Sequence, residues 1–213
     1  MRKIRTLIRG LYILKGKKFG DSRGWLREVF KQNYFNKNNI FTIVSKSKKN
    51  VLRGLHLQKK NSQDKLITVL KGKILDVAVD LRTNSKTFGK HHKIILSDTN
   101  CKSFFVPKGF AHGILGLDKE NIILYTCTKY RDKLSEVSII WNDKDLNIKW
   151  GIKKPILSSK DSKAQKINQF IKNFNEKKNK IIFTGGSGKF GKVFRKIHQN
   201  KEILYPKSNQ LNI

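Results

Sequence analysis

Alternation of apolar and polar positions dominates the first 150 residues of this chain. Its clearest case is residues 74–81, where Leu75, Val77, Val79 and Leu81 share one face of an extended chain and Ile74, Asp76, Ala78 and Asp80 share the other. Side chains along a strand point alternately to its two faces, so this period of two predicts a β-strand. Residues 66–70 precede it across Lys71-Gly72, which reads as a hairpin turn. Shorter runs predict strands at residues 42–45, 93–96, 103–106, 122–128 and 137–141, with turn chemistry at Thr83-Asn84-Ser85 and Asp98-Thr99-Asn100. Many short strands with little helical periodicity predict a sandwich or barrel.

The period changes after Pro155. Ala164, Ile167, Phe170, Ile171 and Phe174 recur at helical spacing, which predicts a helix over residues 162–174. A basic linker at 176–180 follows, then a short strand at 180–184, a glycine-rich stretch at 185–191, a helix-like run to about His198 and a second strand near 202–205. The expected organisation is a β domain over residues 1–175 and a linker with a small α/β extension over 176–213.

Composition narrows the class. A chain of 213 residues suffices for one well-buried domain with a small appendage. Its formal net charge of +32 is the kind of field that phosphate contact requires. The lysines are nevertheless spread over the whole length, without a zinc-finger, basic-zipper or aromatic RNP motif, so a nucleic-acid module stands as an alternative only. The same field favours a small substrate carrying a diphosphate. Cys101 and Cys127 make no disulfide framework and are expected to be reduced thiols. Arg5 and Arg9 interrupt the apolar run that a secretion signal needs, and no segment reaches the length of a membrane span. The expected location is the cytoplasm, with no membrane partner.

Chemistry concentrates in two segments. Val51-Leu52-Arg53-Gly54-Leu55-His56 and Pro107-Lys108-Gly109-Phe110-Ala111-His112-Gly113 each set a histidine in strand-like surroundings near glycine, with Arg53, Lys65 and Lys108 close in sequence. Imidazole bases beside cations suit a pocket that grips an anion. A buried structural histidine in a barrel would look the same from His56 alone.

Seven collinear pieces over residues 19–161 carry a resemblance. They are Phe19-Gly20-Asp21-Ser22-Arg23-Gly24, the 51–56 segment, Gln63-Asp64-Lys65-Leu66, Asp76-Val77-Ala78-Val79-Asp80-Leu81-Arg82, the 107–113 segment, Ile140-Trp141-Asn142-Asp143 and Leu157-Ser158-Ser159-Lys160-Asp161. In this order they resemble the dTDP-4-dehydrorhamnose 3,5-epimerase family. That resemblance implies a mainly β fold, a cupin-like double-stranded β-helix (jelly roll), a homodimer and a nucleotide-sugar substrate. It also implies a reaction without cofactor, in which a proton is removed beside a C4 ketone and one is returned to the opposite face.

By the same resemblance His56 is the base, Asp161 the carboxylate that orients it, Tyr125 the acid across the ring and Lys65 the cation that stabilises the enolate. Arg23, Glu28, Arg53, His112, Glu136 and Lys160 match substrate-binding positions, and Arg131 stands where the family carries an aromatic that stacks on the base. Two further departures are Phe41 and Ile43, where the family offers Gln and Asn. Gln58 stands where metal-binding cupins have histidine, and an amide oxygen replaces imidazole poorly in a transition-metal site, so no metal is expected.

Thr184-Gly185-Gly186-Ser187-Gly188-Lys189-Phe190-Gly191 resembles the opening of an extended short-chain dehydrogenase or reductase, such as the dTDP-4-dehydrorhamnose reductase family. The later strands and a Tyr-x-x-x-Lys pair are missing, so no working reductase or bound dinucleotide is expected. Three alternatives to a C3 and C5 epimerase stay open: a single-carbon epimerase on another nucleotide sugar, a non-catalytic sugar-binding cupin, and the nucleic-acid module.

Overall fold

A computed structural model describes residues 1–32, 41–178, 181–182 and 203–204. Among the described residues, thirteen strands belong to the main unit, Met1–Ile167. They are β1 (Arg2–Arg5), β2 (Tyr12–Lys15), β3 (Lys18–Asp21), β4 (Gly24–Arg27), β5 (Phe41–Lys48), β6 (Leu52–Gln58) and β7 (Lys65–Lys71), then β8 (Lys73–Asp80), β9 (His91–Ser97), β10 (Lys102–Val106), β11 (Phe110–Gly116), β12 (Glu120–Cys127) and β13 (Glu136–Ser138). Six of them line up as β1-β2-β10-β7-β12-β5 and five as β13-β6-β11-β8-β9, all in antiparallel pairs, while β3 and β4 pair as a separate hairpin.

Two antiparallel sheets must each cover an apolar face, and here they cover one another. Ile67 and Val69 of β7, Phe104 and Val106 of β10 and Ile123 of β12 come from the first sheet. Ile74 and Ala78 of β8, Ile94 and Leu96 of β9 and Phe110 and Ile114 of β11 meet them from the second. On strand β8 the interior face is therefore the one that carries Asp76, and the richer face with Leu75, Val77 and Val79 is buried as well. A smaller cluster of Tyr12, Leu14, Leu66 and Phe105 holds the first sheet's other face, with the Tyr12 and Phe105 rings stacked 4.3 Å apart.

The expected mainly β jelly roll is observed, with three corrections to its details. Lys71-Gly72 does turn the chain, but β7 and β8 belong to different sheets, so the turn is a crossing between layers and no hairpin. Local turn chemistry specifies reversal; the strand's partner is decided by which sheet its apolar face completes. Secondly, β1–β4 carry no clear alternation and were not expected. Thirdly, the helix expected over 162–174 is split. Ser158 caps α1 (Ser159–Ser162), the chain then runs extended so that Gln165 O accepts the Ile140 N–H, and α2 (Ile167–Lys178) starts where Asp143 Oδ2 accepts the Ile167 N–H at 2.9 Å. A remote carboxylate thus sets the helix start.

The second unit, Asn168–Ile213, contains the rest of α2 and two two-residue strands, β14 (Ile181–Ile182) and β15 (Ile203–Leu204), paired in parallel. The glycine-rich segment 185–191 lies outside the described residues. Among the described residues no helix is long and apolar enough to cross a membrane.

Candidate active site

Strand register brings the two histidine segments together. On β6 and β11, His56 and His112 are direct cross-strand partners, so their side chains share a sheet face. The approach is close because Gly54 lies against Gly113: a Cβ on Gly54 would stand 2.6 Å from Gly113 Cα and 2.7 Å from His112 O. Gly54 also adopts φ +123°, a conformation side chains disfavour.

A cavity of about 580 Å³ opens on this face. The five-stranded sheet contributes Arg53, His56, His112 and Glu136, and the six-stranded sheet contributes Phe41, Ile43, Lys65, Tyr125 and Cys127. Lys160 and Asp161 reach it from α1, and Arg131 from the segment before β13. Nine expected site residues thus line one hollow: His56, Tyr125, Asp161, Lys65, Arg53, His112, Arg131, Glu136 and Lys160.

Two expected residues do not. Arg23 sits at the tip of the β3–β4 hairpin, 88% exposed and paired with Asp21, and Glu28 pairs with Lys31; neither lines the cavity.

His56 Nε2 lies 2.6 Å from Asp161 Oδ1. An ionised carboxylate only accepts hydrogen bonds, so Nε2 carries the proton and Nδ1 is left as the free nitrogen. Asp161 is held in turn by the Ser158 hydroxyl and the Gly54 N–H. Burial opposes its ionisation, but the hydrogen bond and charge of His56, with the Ser158 bond, hold it below the usual carboxylate range.

Glu136 lies on the far side of the ring, its Oε1 3.8 Å from His56 Nδ1. Burial again works against the charge, and hydrogen bonds from Lys160 (2.7 Å) and Arg131 (2.7 Å) outweigh it. An imidazolium formed at His56 would therefore sit between two carboxylates.

Facing these groups, Tyr125 meets His112 edge-on with ring centroids 6.3 Å apart. Burial raises its phenol pKa, and the charge of Asp76 adds to the shift, so the hydroxyl keeps its proton at neutral pH. The Lys65 ammonium makes no hydrogen bond among the described residues, and burial lowers its pKa despite the nearby Cys127 thiol and Glu136. Cys127, in register with Lys65, is pushed up to about 11 by burial and stays a thiol.

The departures from the family pattern take definite form. Phe41 lines the cavity and packs against Tyr130 with centroids 5.6 Å apart. The Arg131 guanidinium is engaged by Glu136. Both ends of the Gln58 amide are occupied, by Asn61 O and the Asp132 N–H.

Sequence reasoning gave no role to Ser158 or Asp76. Ser158 fits a Ser-x-x-Asp capping pattern, a usable signal. Asp76 is visible in sequence as one of two acids, with Asp80, in an otherwise apolar stretch.

Comparison with known proteins points to one family. The family model described as dTDP-4-dehydrorhamnose 3,5-epimerase matches residues 5–169. A relative of that name from Salmonella typhimurium is 42% identical over 176 residues, covering 79% of this chain and 96% of the relative. The crystal structure of a dTDP-6-deoxy-D-glucose-3,5-epimerase from Legionella pneumophila, in complex with dTDP-4-keto-L-rhamnose, superposes with a TM-score of 0.76 at 40% identity over 78% of this chain and 93% of its own. A 3′-monoepimerase from Streptomyces bikiniensis, in complex with dTDP-quinovose, matches at 25% identity with a TM-score of 0.75 over 79% of this chain and 89% of its own.

Proposed function

This chain belongs to the dTDP-4-dehydrorhamnose 3,5-epimerase family, and from that premise we propose that it inverts C3 and C5 of a nucleotide-linked 4-keto-6-deoxyhexose, with His56 as base and Tyr125 as acid. The observation that carries the reading is the convergence of the His56–Asp161 pair, Lys65 and Tyr125 on one hollow between the sheets.

His56 Nδ1 takes the proton from a carbon beside the C4 ketone, and the C–H electron pair moves into an enolate on O4. Asp161 and Glu136 stabilise the imidazolium. The Lys65 ammonium, which makes no hydrogen bond among the described residues, stabilises the enolate oxygen. Tyr125, which burial keeps protonated, returns a proton to the opposite face. A positioned base contributes roughly 10²–10⁴ in rate and a donor to the enolate roughly 10²–10³. Arg53 and Lys160 would meet the diphosphate.

Arg23 and Glu28 would enter the substrate site from a second copy of the chain. The β3–β4 hairpin that carries Arg23 exposes Phe19, Trp25 and Leu26, an apolar surface of the kind a homodimer covers. We place the enzyme in the cytoplasm, where nucleotide sugars are made. The glycine-rich segment 185–191 resembles the opening of a short-chain dehydrogenase or reductase in sequence, and we propose no bound dinucleotide there.

The test is turnover of dTDP-4-keto-6-deoxyglucose in deuterated water. Deuterium at both C3 and C5, lost in His56→Ala, supports the reading. Label at C3 alone would make the chain a monoepimerase, and no label on any nucleotide 4-keto sugar would refute catalysis.

A further inference from the structure

Asp76 is a buried acid for which the proposed reaction has no use. It lies on β8 at 0% exposure, on the face that Ile74 and Ala78 contribute to the apolar core. Strand register sets Ala78 opposite His112 and Asp76 opposite Ile114, so Asp76 is the diagonal neighbour of His112. Its Oδ1 lies 2.7 Å from His112 Nε2, while Oδ2 is buried without a hydrogen-bond partner. A carboxylate with one oxygen unsatisfied in an apolar interior costs stability, and an apolar residue would pack there at less cost. Among the described residues this acid has one hydrogen-bonded side-chain partner, and that partner lines the active-site cavity.

We infer that Asp76 is a positioning residue of the epimerisation, acting through His112; this rests on the function proposed above. The carboxylate accepts the Nε2–H, so the neutral ring carries its proton on Nε2 and turns Nδ1 to the ligand as an acceptor. In that state His112 accepts a hydroxyl of the hexose. Its ring, 7% exposed and edge-on to Tyr125, also buttresses the acid. Both cavity histidines are thus backed by a carboxylate at Nε2, but to different ends: His56 has Glu136 above its free nitrogen, ready for a transferred proton, whereas His112 is held to orient the sugar.

A double-mutant cycle tests this, with kcat and KM measured on dTDP-4-keto-6-deoxyglucose. Asp76→Asn is expected to lower kcat/KM by about 10–100-fold without lowering Tm. In a His112→Gln background the same change is expected to alter kcat/KM by less than about twofold, because residues that act as a unit are not additive. Additive losses, or a fall in activity that tracks a fall in Tm, would make Asp76 structural and overturn the inference. Histidine ¹⁵N spectra of the unmodified protein, assigned with His112→Gln, provide a check independent of variant folding and of activity. The Nε2–H tautomer is expected for His112, and the Nδ1–H tautomer overturns the proposal. If the unmodified protein turned over no nucleotide sugar, the function proposed above would fail while these spectra still decided the His112 state.

Discussion

Replacing Gly54 by alanine tests the packing on which both histidines depend. The new Cβ would stand 2.6 Å from Gly113 Cα, where ordinary contact begins at 3.4 Å, so β6 and β11 must part by about 0.8 Å. Two costs add. An alanine at φ +123° carries backbone strain of about 1–3 kcal/mol, and overpacking of a tight interior costs about 1–3 kcal/mol. The expected loss is about 2–6 kcal/mol, which for a chain of this size lowers Tm by roughly 10 °C. Activity should fall further than stability alone explains, because a displacement near 1 Å in a reacting constellation costs about 10²-fold in rate. Urea unfolding gives the first quantity and deuterium incorporation, measured well below Tm, gives the second. Gly89→Ala is the control: φ there is +74°, but nothing lies within 4 Å of the added carbon, so strain alone, about 1 kcal/mol, should appear with turnover unchanged. A Gly54→Ala protein as stable and active as the parent would refute the claim that this glycine contact sets the histidine spacing.

Tyr125→Phe should cut inversion by about 10²–10⁴ while His56 still exchanges a substrate proton with solvent, so deuterium washes in with retained configuration; unchanged inversion would remove Tyr125 as the acid. Lys65→Gln should lower kcat by about 10²–10³ with a smaller change in KM, measured by steady-state kinetics. Phe104→Ala, at a fully buried core position, should cost about 3–5 kcal/mol by denaturant titration and leave KM intact in the folded fraction. Acid stability should report Asp80: burial opposes its ionisation, but bonds from Arg82, Ser85 and Thr87 hold its pKa at about 2. A depressed carboxylate stabilises the fold above its unfolded pKa and ceases to do so as pH falls through the folded one. About 2 kcal/mol should therefore vanish between roughly pH 4 and pH 2 in the parent and be missing at every pH in Asp80→Asn.

Alternating apolar positions disclosed seven of the strands, and the 51–56 and 107–113 segments disclosed both histidines, because a period of two and a glycine beside an imidazole are local facts of the chain. His56, Lys65, Tyr125, Glu136 and Asp161 could also be named from sequence, through the family resemblance that the collinear motifs carry. Other features depend on groups distant in sequence. That Lys71-Gly72 crosses between sheets follows from which layer each strand completes. The start of α2 follows from Asp143, 24 positions upstream. Which face of β8 looks inward, and hence that Asp76 reaches His112, follows from sheet packing, since alternation separates two faces without saying which one is covered. Arg23 and Glu28 show the converse limit: a motif can assign a role, but the folded chain holds Arg23 on an exposed hairpin and ties Glu28 to Lys31, with neither lining the hollow. Sequence by itself determined the strands that alternate clearly and the chemical groups, because both are written in short-range order. Tertiary structure decided which groups meet, because cross-strand register and layer packing join residues that the chain keeps far apart.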